Sequence, residues 1–185
     1  MSQLTTICSG DLTATVDSMG AQLMSLTCAG AEYLWQGDPK FWPRRAPVLF
    51  PIVGCLKNDE AMSAAGPVHL KRHGLARTNE HEVKEVAADS VTYELRSSEA
   101  TRELYPYDFC LNMAYSVDGT SLTQSFAVTN TGDVDLPFTL GGHPAFNVPM
   151  PGAEGERFDD YALVFAERWS PEVPVIDERG LHDFG

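Results

Sequence analysis

The sequence predicts an all-β protein, an antiparallel sandwich or barrel built from short strands. Three observations predict this class. Apolar residues recur at every second position in several segments, turn residues separate these segments at intervals of roughly 8–12 residues, and no segment sustains the 3.6-residue period of a helix. The 185 residues are the usual size of one domain, so we expect residues 1–185 to form a single domain.

Strands are predicted, in chain order, where apolar and polar residues alternate. These segments are 12–16, 23–28, 91–95 and 109–117, and the last has five apolar residues at every second position. Residues 80–88 also suggest a strand, because their apolar residues keep no helical period. A final strand is expected over 161–165, and if it ends the sheet it leaves an unpaired edge.

Turn residues separate these strands. Asp118 and Gly119 follow the alternating run 109–117, and Leu122, Phe126 and Val128 then alternate on a second strand. Asp-Gly between two such runs is a strong hairpin signal, because a type I′ turn needs positive φ at both central positions. A further turn is expected over 130–133, and residues 149–157 have the Gly, Pro and Glu content of an exposed loop.

The charge balance excludes several classes of partner. The chain has 26 Asp and Glu against 13 Lys and Arg, a formal net charge of −13. We therefore expect neither nucleic acid nor an anionic membrane as a partner, whereas a neutral ligand would feel little of this field. The first ten residues lack the pattern of a secretory signal, and no stretch approaches the roughly 18 apolar residues of a membrane span. These features predict a cytoplasmic protein.

The residues give no metal or cofactor signature. The four cysteines have no C-x-x-C spacing, so free thiols are expected. His69 and His73 lie four apart, which would suit zinc only on a helix, and Pro67 and Gly74 disfavour a helix there. No phosphate-binding or dinucleotide-binding glycine motif occurs. We expect neither a metal nor an organic cofactor.

Three segments are too specific for a generic sheet. They are residues 33–54, with two Trp, two Arg and four Pro, then His73–Arg77, and Gly141–Asn147. A sugar site needs aromatic platforms and a few placed donors. Trp35, Trp42 and Phe146 are candidate platforms, Arg44 and Arg77 are candidate donors, and His73 and His143 are candidate groups for proton transfer at neutral pH.

A structural role is the alternative for each of these residues. Tryptophans most often pack in a core or at its rim, and arginines on a surface are most often solvated or paired with carboxylates. A histidine beside a glycine is most often a polar loop residue. The residues alone leave both interpretations open.

Together the three segments resemble the aldose 1-epimerase (galactose mutarotase-like) family, in its bacterial LacX-like branch. The matching residues are Leu34-Trp35-Gln36-Gly37-Asp38, Trp42, Arg44, Pro47, Leu49-Phe50-Pro51, Gly54, His73-Gly74, Tyr105-Pro106, Thr129-Asn130-Thr131 and Gly142-His143-Pro144-Ala145-Phe146-Asn147. The matching residues follow the family's order, and the resemblance as a whole extends to about Phe165. The resemblance implies a large antiparallel β-sandwich with a sugar site in a concave face.

The resemblance also implies a reaction, the interconversion of the α and β anomers of an aldose such as an aldohexose. A base removes the anomeric hydroxyl proton and an acid protonates the ring oxygen, so no cofactor takes part. His143 takes the role of the general acid, and His73 polarises or positions the sugar. Arg44, Arg77 and Phe146 become the expected substrate contacts.

Two departures from the family pattern are expected to matter. Cys55 stands where the family typically has an arginine, and a thiol lacks the donors of a guanidinium. The family's general-base glutamate and a sugar-binding aspartate lie in a C-terminal part without counterpart before Gly185, so we expect a sandwich incomplete at its C-terminus. The alternatives are therefore a non-catalytic sugar-binding module, an inactive fragment, or a protein for hexose 6-phosphates.

Overall fold

Two four-stranded antiparallel sheets form the body of the protein. The computed structural model describes residues 2–167, 175–179 and 181–183. Its strands are β1 (Leu4–Ser9), β2 (Leu12–Asp17), β3 (Gln22–Cys28), β4 (Ala31–Glu32), β5 (Val48–Leu49), β6 (Glu60–Ser63), β7 (Gly66–His69), β8 (Glu82–Val86), β9 (Ser90–Arg96), β10 (Phe109–Asp118), β11 (Ser121–Asn130), β12 (Gly141–Gly142), β13 (Val175–Ile176) and β14 (His182–Asp183). The first sheet has the order β1-β2-β3-β4 and the second β11-β10-β9-β8.

Alternating side chains explain why these strands form. In β2 and β10 every second residue is buried, so each strand presents one apolar face to the other sheet. The predicted strands at 12–16, 23–28, 91–95 and 109–117 are confirmed, and β8 lies within the predicted 80–88.

The core lies where β1 and β2 pack against β9 and β10. Ile7, Val16, Phe109 and Met113 are fully buried there, and each such side chain contributes roughly 1.5–3 kcal/mol. Tyr115 is also buried, and its hydroxyl donates a hydrogen bond of 2.7 Å to the backbone oxygen of Ala21, the residue before β3 of the first sheet. The two layers are thus joined by polar as well as apolar contacts.

The predicted hairpin is confirmed, with a different turn. Asp118 pairs with Ser121, so Gly119 and Thr120 form the two-residue loop between β10 and β11. Only Gly119 of these two has positive φ, at 57°. Glycine at the first central position is typical of a type II′ turn rather than the expected I′.

Two predictions about secondary structure are wrong. Residues 161–165 form no strand, and Leu163 and Val164 are each 90% exposed, because an alternating run becomes a strand only when another strand accepts its hydrogen bonds. The structure also has one short helix, α1 (Glu99–Leu104). Six residues are too few to display a helical period, but Ser98 and Thr101 form a reciprocal capping box that marks its start.

Other expectations agree with the structure. The turn after β11 is present, with the Gly132 N–H donating to Asn130 Oδ1 at 3.0 Å. Residues 149–157 form no strand or helix and are mostly exposed. All four cysteines are free thiols. Within the described ranges, no helix has the length and apolar character needed to cross a membrane.

Candidate functional site

Backbone pairing brings the three chemically specific segments together. β12 pairs with β5, so that Gly142 lies opposite Val48. An antiparallel bridge joins Leu34 to Phe146, and a parallel bridge joins Phe50 to Gly74. The segment 33–54 is therefore the scaffold to which both histidine segments attach.

The two predicted histidines lie side by side. The ring centroids of His73 and His143 are 6.0 Å apart, with the ring planes at 65°. Trp42 lies on the same cluster, its ring centroid 5.0 Å from that of His143. His143 is exposed and His73 is half-buried, so a ligand can reach both rings from solvent.

His73 is held by two hydrogen bonds to one residue. Its backbone N–H donates to the Gly54 oxygen at 2.7 Å, and the Gly54 N–H donates to its Nδ1 at 3.0 Å. These bonds keep His73 at a φ of +67°, in the left-handed region. Because Nδ1 accepts a hydrogen bond, the neutral ring carries its proton on Nε2.

The surroundings of His73 favour that neutral form. Burial lowers the pKa of His73 below its ordinary 6.5, and the positive charges of Arg77, His143 and Arg72 lower it further. At neutral pH the ring is therefore an uncharged donor through Nε2–H. This chemistry suits donating a hydrogen bond to a ligand oxygen better than it suits holding an extra proton.

Gly74 explains why glycine follows this histidine. A Cβ built on Gly74 would lie 2.3 Å from the Phe50 carbonyl oxygen, far inside van der Waals contact. That same oxygen accepts hydrogen bonds from the N–H groups of Leu75 and Ala76, at 2.8 and 3.1 Å. The His73 loop is thus pressed against the scaffold strand at the one residue that lacks a side chain.

Arg72 and Arg77 lie close enough to His73 for their charges to act on it, and Arg44 lies near Arg77. Burial lowers the pKa of Arg77, and the charges of Arg44 and Arg72 lower it further, while Cys55 opposes the shift. Arg77 Nη2 donates to the Arg72 backbone oxygen at 2.7 Å, and its buried Nε has no hydrogen-bond partner among the described residues. Over 2–167, 175–179 and 181–183, no carboxylate forms an ion pair with any of these three arginines.

Arg72 is a site residue that the sequence prediction missed. Its Nε donates to Cys55 Sγ at 3.0 Å, so a guanidinium lies against the thiol where the family pattern led us to expect an arginine side chain. The only signal in the sequence is its position next to His73, and an isolated basic residue beside a histidine is too common to be distinctive.

Some predicted residues lie away from the histidine pair. Phe146 is 51% exposed and lines a separate apolar cavity of about 350 Å³, whose other walls include Met150, Phe158 and Leu163. Trp35 supports the scaffold, since its Nε1 donates to the Trp42 oxygen at 2.8 Å.

No metal cluster is formed by the described part of the chain, in which no three or more His, Cys, Asp or Glu side chains converge. His69, the other histidine considered for zinc, has its Nδ1 3.7 Å from Glu60 Oε1. Two carboxylates in the C-terminal part of the described chain, Asp160 and Asp177, have local hydrogen-bond partners. Asp160 accepts from the Arg157 N–H, and Asp177 accepts from Arg179.

Proteins of one family resemble this chain in sequence. A profile of the aldose 1-epimerase family matches residues 3–177. The chain is 39% identical over 180 residues to the plasmid-encoded LacX protein of Lactococcus lactis, covering 93% of this chain and 60% of that protein.

Solved structures are similar over the same region. A galactose mutarotase related enzyme from Lactobacillus acidophilus is 38% identical, with a TM-score of 0.78 over 82% of this chain and 51% of that one. A galactose mutarotase-like protein from Lactobacillus casei is 33% identical, with a TM-score of 0.76 over 79% and 50%. The chain thus spans 60% of the length of LacX and about half of each solved chain.

Proposed function

We propose, from the premise that this chain belongs to the aldose 1-epimerase family, that its paired histidines bind an aldose and take part in interconverting its α and β anomers. Its fold is an antiparallel sandwich of the galactose mutarotase-like type. The observation that carries the proposal is the pairing of His73 and His143, with ring centroids 6.0 Å apart and both rings open to a ligand.

The two histidines differ in a way that suits the chemistry of ring opening. Opening requires an acid at the ring oxygen and a base at the anomeric hydroxyl. The exposed His143 is the proposed acid, which gives its proton to the ring oxygen as the C1–O5 bond breaks. The neutral His73 ring carries its single proton on Nε2, and it is the proposed hydrogen-bond donor to a sugar oxygen. Rotation about C1–C2 and closure of the ring then return the proton and give the other anomer.

No base for this reaction is identified among the described residues. No carboxylate among them contributes to the pKa shifts of His73 or Arg77. By the family resemblance the base is a glutamate of a C-terminal part. The same observation favours a second candidate function, in which the chain binds sugar without catalysing anomer exchange.

A phosphorylated aldose is the other substrate that one observation favours. Arg72 and Arg77 lie near His73 and Arg44 lies near Arg77, and in the described ranges none of the three forms an ion pair with a carboxylate. Guanidinium groups bind phosphate in a bidentate manner. This local positive charge opposes the net −13 of the chain, which otherwise disfavours an anionic ligand. A small sugar, neutral or phosphorylated, in the cytoplasm remains the proposed partner.

Magnetisation-transfer NMR tests the proposal. Anomer exchange is measured on glucose, galactose and glucose 6-phosphate with the unmodified chain, with His143→Asn, and with His69→Asn as the matched control. His69 is a half-exposed histidine outside the pair. Exchange above the buffer background that His143→Asn abolishes and His69→Asn preserves would support catalysis by this chain.

Binding measurements distinguish the remaining outcomes. Saturable binding of a sugar without exchange would support the non-catalytic alternative. Preference for glucose 6-phosphate, lost in Arg77→Gln, would identify the arginines as a phosphate site. A folded chain that neither binds nor interconverts any of the three sugars would reject the proposal.

A further inference from the structure

The two histidine rings are held by different means. His73 receives a hydrogen bond on Nδ1 from the Gly54 N–H. For His143, only the backbone is fixed in this way, by its N–H donating to the Pro47 oxygen at 3.1 Å. In the part of the chain that the structure describes, no hydrogen bond reaches a ring nitrogen of His143. Its side chain contacts the Trp42 and His73 rings in this part of the chain, so ring packing is what can restrict its orientation.

The Trp42 ring is the side chain placed to do so. Its centroid lies 5.0 Å from that of His143 with the planes at 33°, a tilted contact that is closer to stacking than to an edge-on arrangement. The His73 ring meets His143 more obliquely, at 6.0 Å and 65°. A stacked indole restricts the rotation of an imidazole, and its negative face tolerates the ring in both the neutral and the protonated form.

Trp42 is in turn anchored to the backbone that carries His143. Its own N–H donates to the Asp38 oxygen at 2.9 Å, and its oxygen accepts the Trp35 Nε1 donor at 2.8 Å. The Trp35 N–H donates to the Ala145 oxygen at 2.9 Å, two residues after His143. The indole and the imidazole are therefore mounted on one frame, which gives the stack a defined geometry.

We infer that Trp42 is a positioning residue for His143, holding the imidazole in the orientation from which it serves the sugar, and is not a free sugar platform on that face. The inference rests on the proposed function for the identity of the group that His143 serves. The contact itself does not, so it can be tested on the chain without any assay of turnover.

The test compares Trp42→Leu, which removes the aromatic face, with Trp42→Phe, which keeps a smaller one. Phe41→Leu is the matched control, because Phe41 lies in the same turn, is 70% exposed, and meets the Trp35 ring edge-on rather than a histidine. The ring proton signals of His143 are assigned by their loss in His143→Asn. Backbone amide spectra of each variant report whether it is folded.

The ring current of Trp42 should displace the His143 signals, so Trp42→Leu is expected to move them toward the values of an unstacked histidine. Trp42→Phe should restore part of the displacement, and Phe41→Leu should leave it unchanged. If exchange is catalysed, freeing the ring among its rotamers should lower the turnover rate of Trp42→Leu about three- to tenfold with little change in KM.

His143 signals that stay in place in a folded Trp42→Leu variant would overturn the inference. So would an equal displacement in Phe41→Leu. If the signals move as expected but no variant, including the unmodified chain, accelerates anomer exchange, the positioning contact stands and the proposed catalysis fails.

Discussion

The close approach of Gly74 to the scaffold strand makes Gly74→Ala the sharpest test of how the His73 loop is built. The added methyl group would lie 2.3 Å from the Phe50 oxygen and 2.6 Å from its carbonyl carbon. Neither atom belongs to a flexible side chain, so the two backbones must move apart. We expect the variant to be destabilised and its His73 signals to shift.

The magnitude follows from three contributions. Placing a side chain at a φ of +71° destabilises the folded state by roughly 1–2 kcal/mol. Alanine also restricts the unfolded chain more than glycine does, which offsets this loss by about 0.4–1 kcal/mol. Separation of the backbones weakens the hydrogen bonds from Leu75 and Ala76 to the Phe50 oxygen, each contributing about 0.5–1.5 kcal/mol. The sum is a loss of about 1–5 kcal/mol in the free energy of unfolding, with a central value of about 3 kcal/mol.

Gly10→Ala is the matched control. Gly10 has a φ of +58°, and a Cβ there meets nothing within 4 Å. This variant should therefore lose only the conformational difference, about 1 kcal/mol. Urea unfolding of the two variants and the unmodified chain measures both losses. Equal losses in the two variants would refute the steric argument, since only Gly74 faces a backbone oxygen.

Two further predictions concern pH. Burial lowers the pKa of His81 below its ordinary 6.5, so at low pH the unfolded chain binds a proton more readily than the folded protein does. The free energy of unfolding should therefore fall as the pH drops below about 6.5, by up to roughly 1.4 kcal/mol per pH unit. Urea unfolding midpoints from pH 7.5 to 5 should show this fall, and His81→Gln should flatten it. The pKa of Glu94 is lowered from 4.5 to about 2, first by the Arg96 hydrogen bond and then by the Cys110 thiol and the charges of Arg96 and Lys84. The contribution of Glu94 to stability is therefore present above pH 4.5 and lost as the pH falls toward 2. Glu94→Gln should remove that acid dependence in thermal unfolding between pH 5 and 2, and a dependence unchanged in either variant would contradict the assignment to that residue.

Local signals explain why so much of the sandwich could be predicted. Alternation of apolar residues within a strand is a property of neighbouring residues, and it placed β2, β3, β9 and β10 correctly. The Asp118-Gly119 pair likewise marked the β10–β11 hairpin, although the turn type was wrong. The family resemblance, carried by three short segments, is confirmed by the family profile and by LacX.

Local signals failed where the outcome depends on a distant partner. Residues 161–165 alternate like a strand but find none among the described residues to pair with. Arg72 became a site residue only because its loop faces Cys55 across the scaffold. Phe146 belongs to the His143 segment, and its side chain lines an apolar cavity together with Met150, Phe158 and Leu163, a placement that the sequence did not predict.

The sequence by itself determined which residues are chemically capable: two histidines beside glycine, the arginines and the aromatic rings. Only the tertiary structure decided that His73 and His143 meet, that Trp42 stacks on one, and that the Gly54 N–H hydrogen-bonds the other. The physical reason is that chemical capability belongs to a side chain, whereas convergence depends on strand register. The pairing of β5 with β12 and the bridge from Phe50 to Gly74 set that register between segments far apart in the chain.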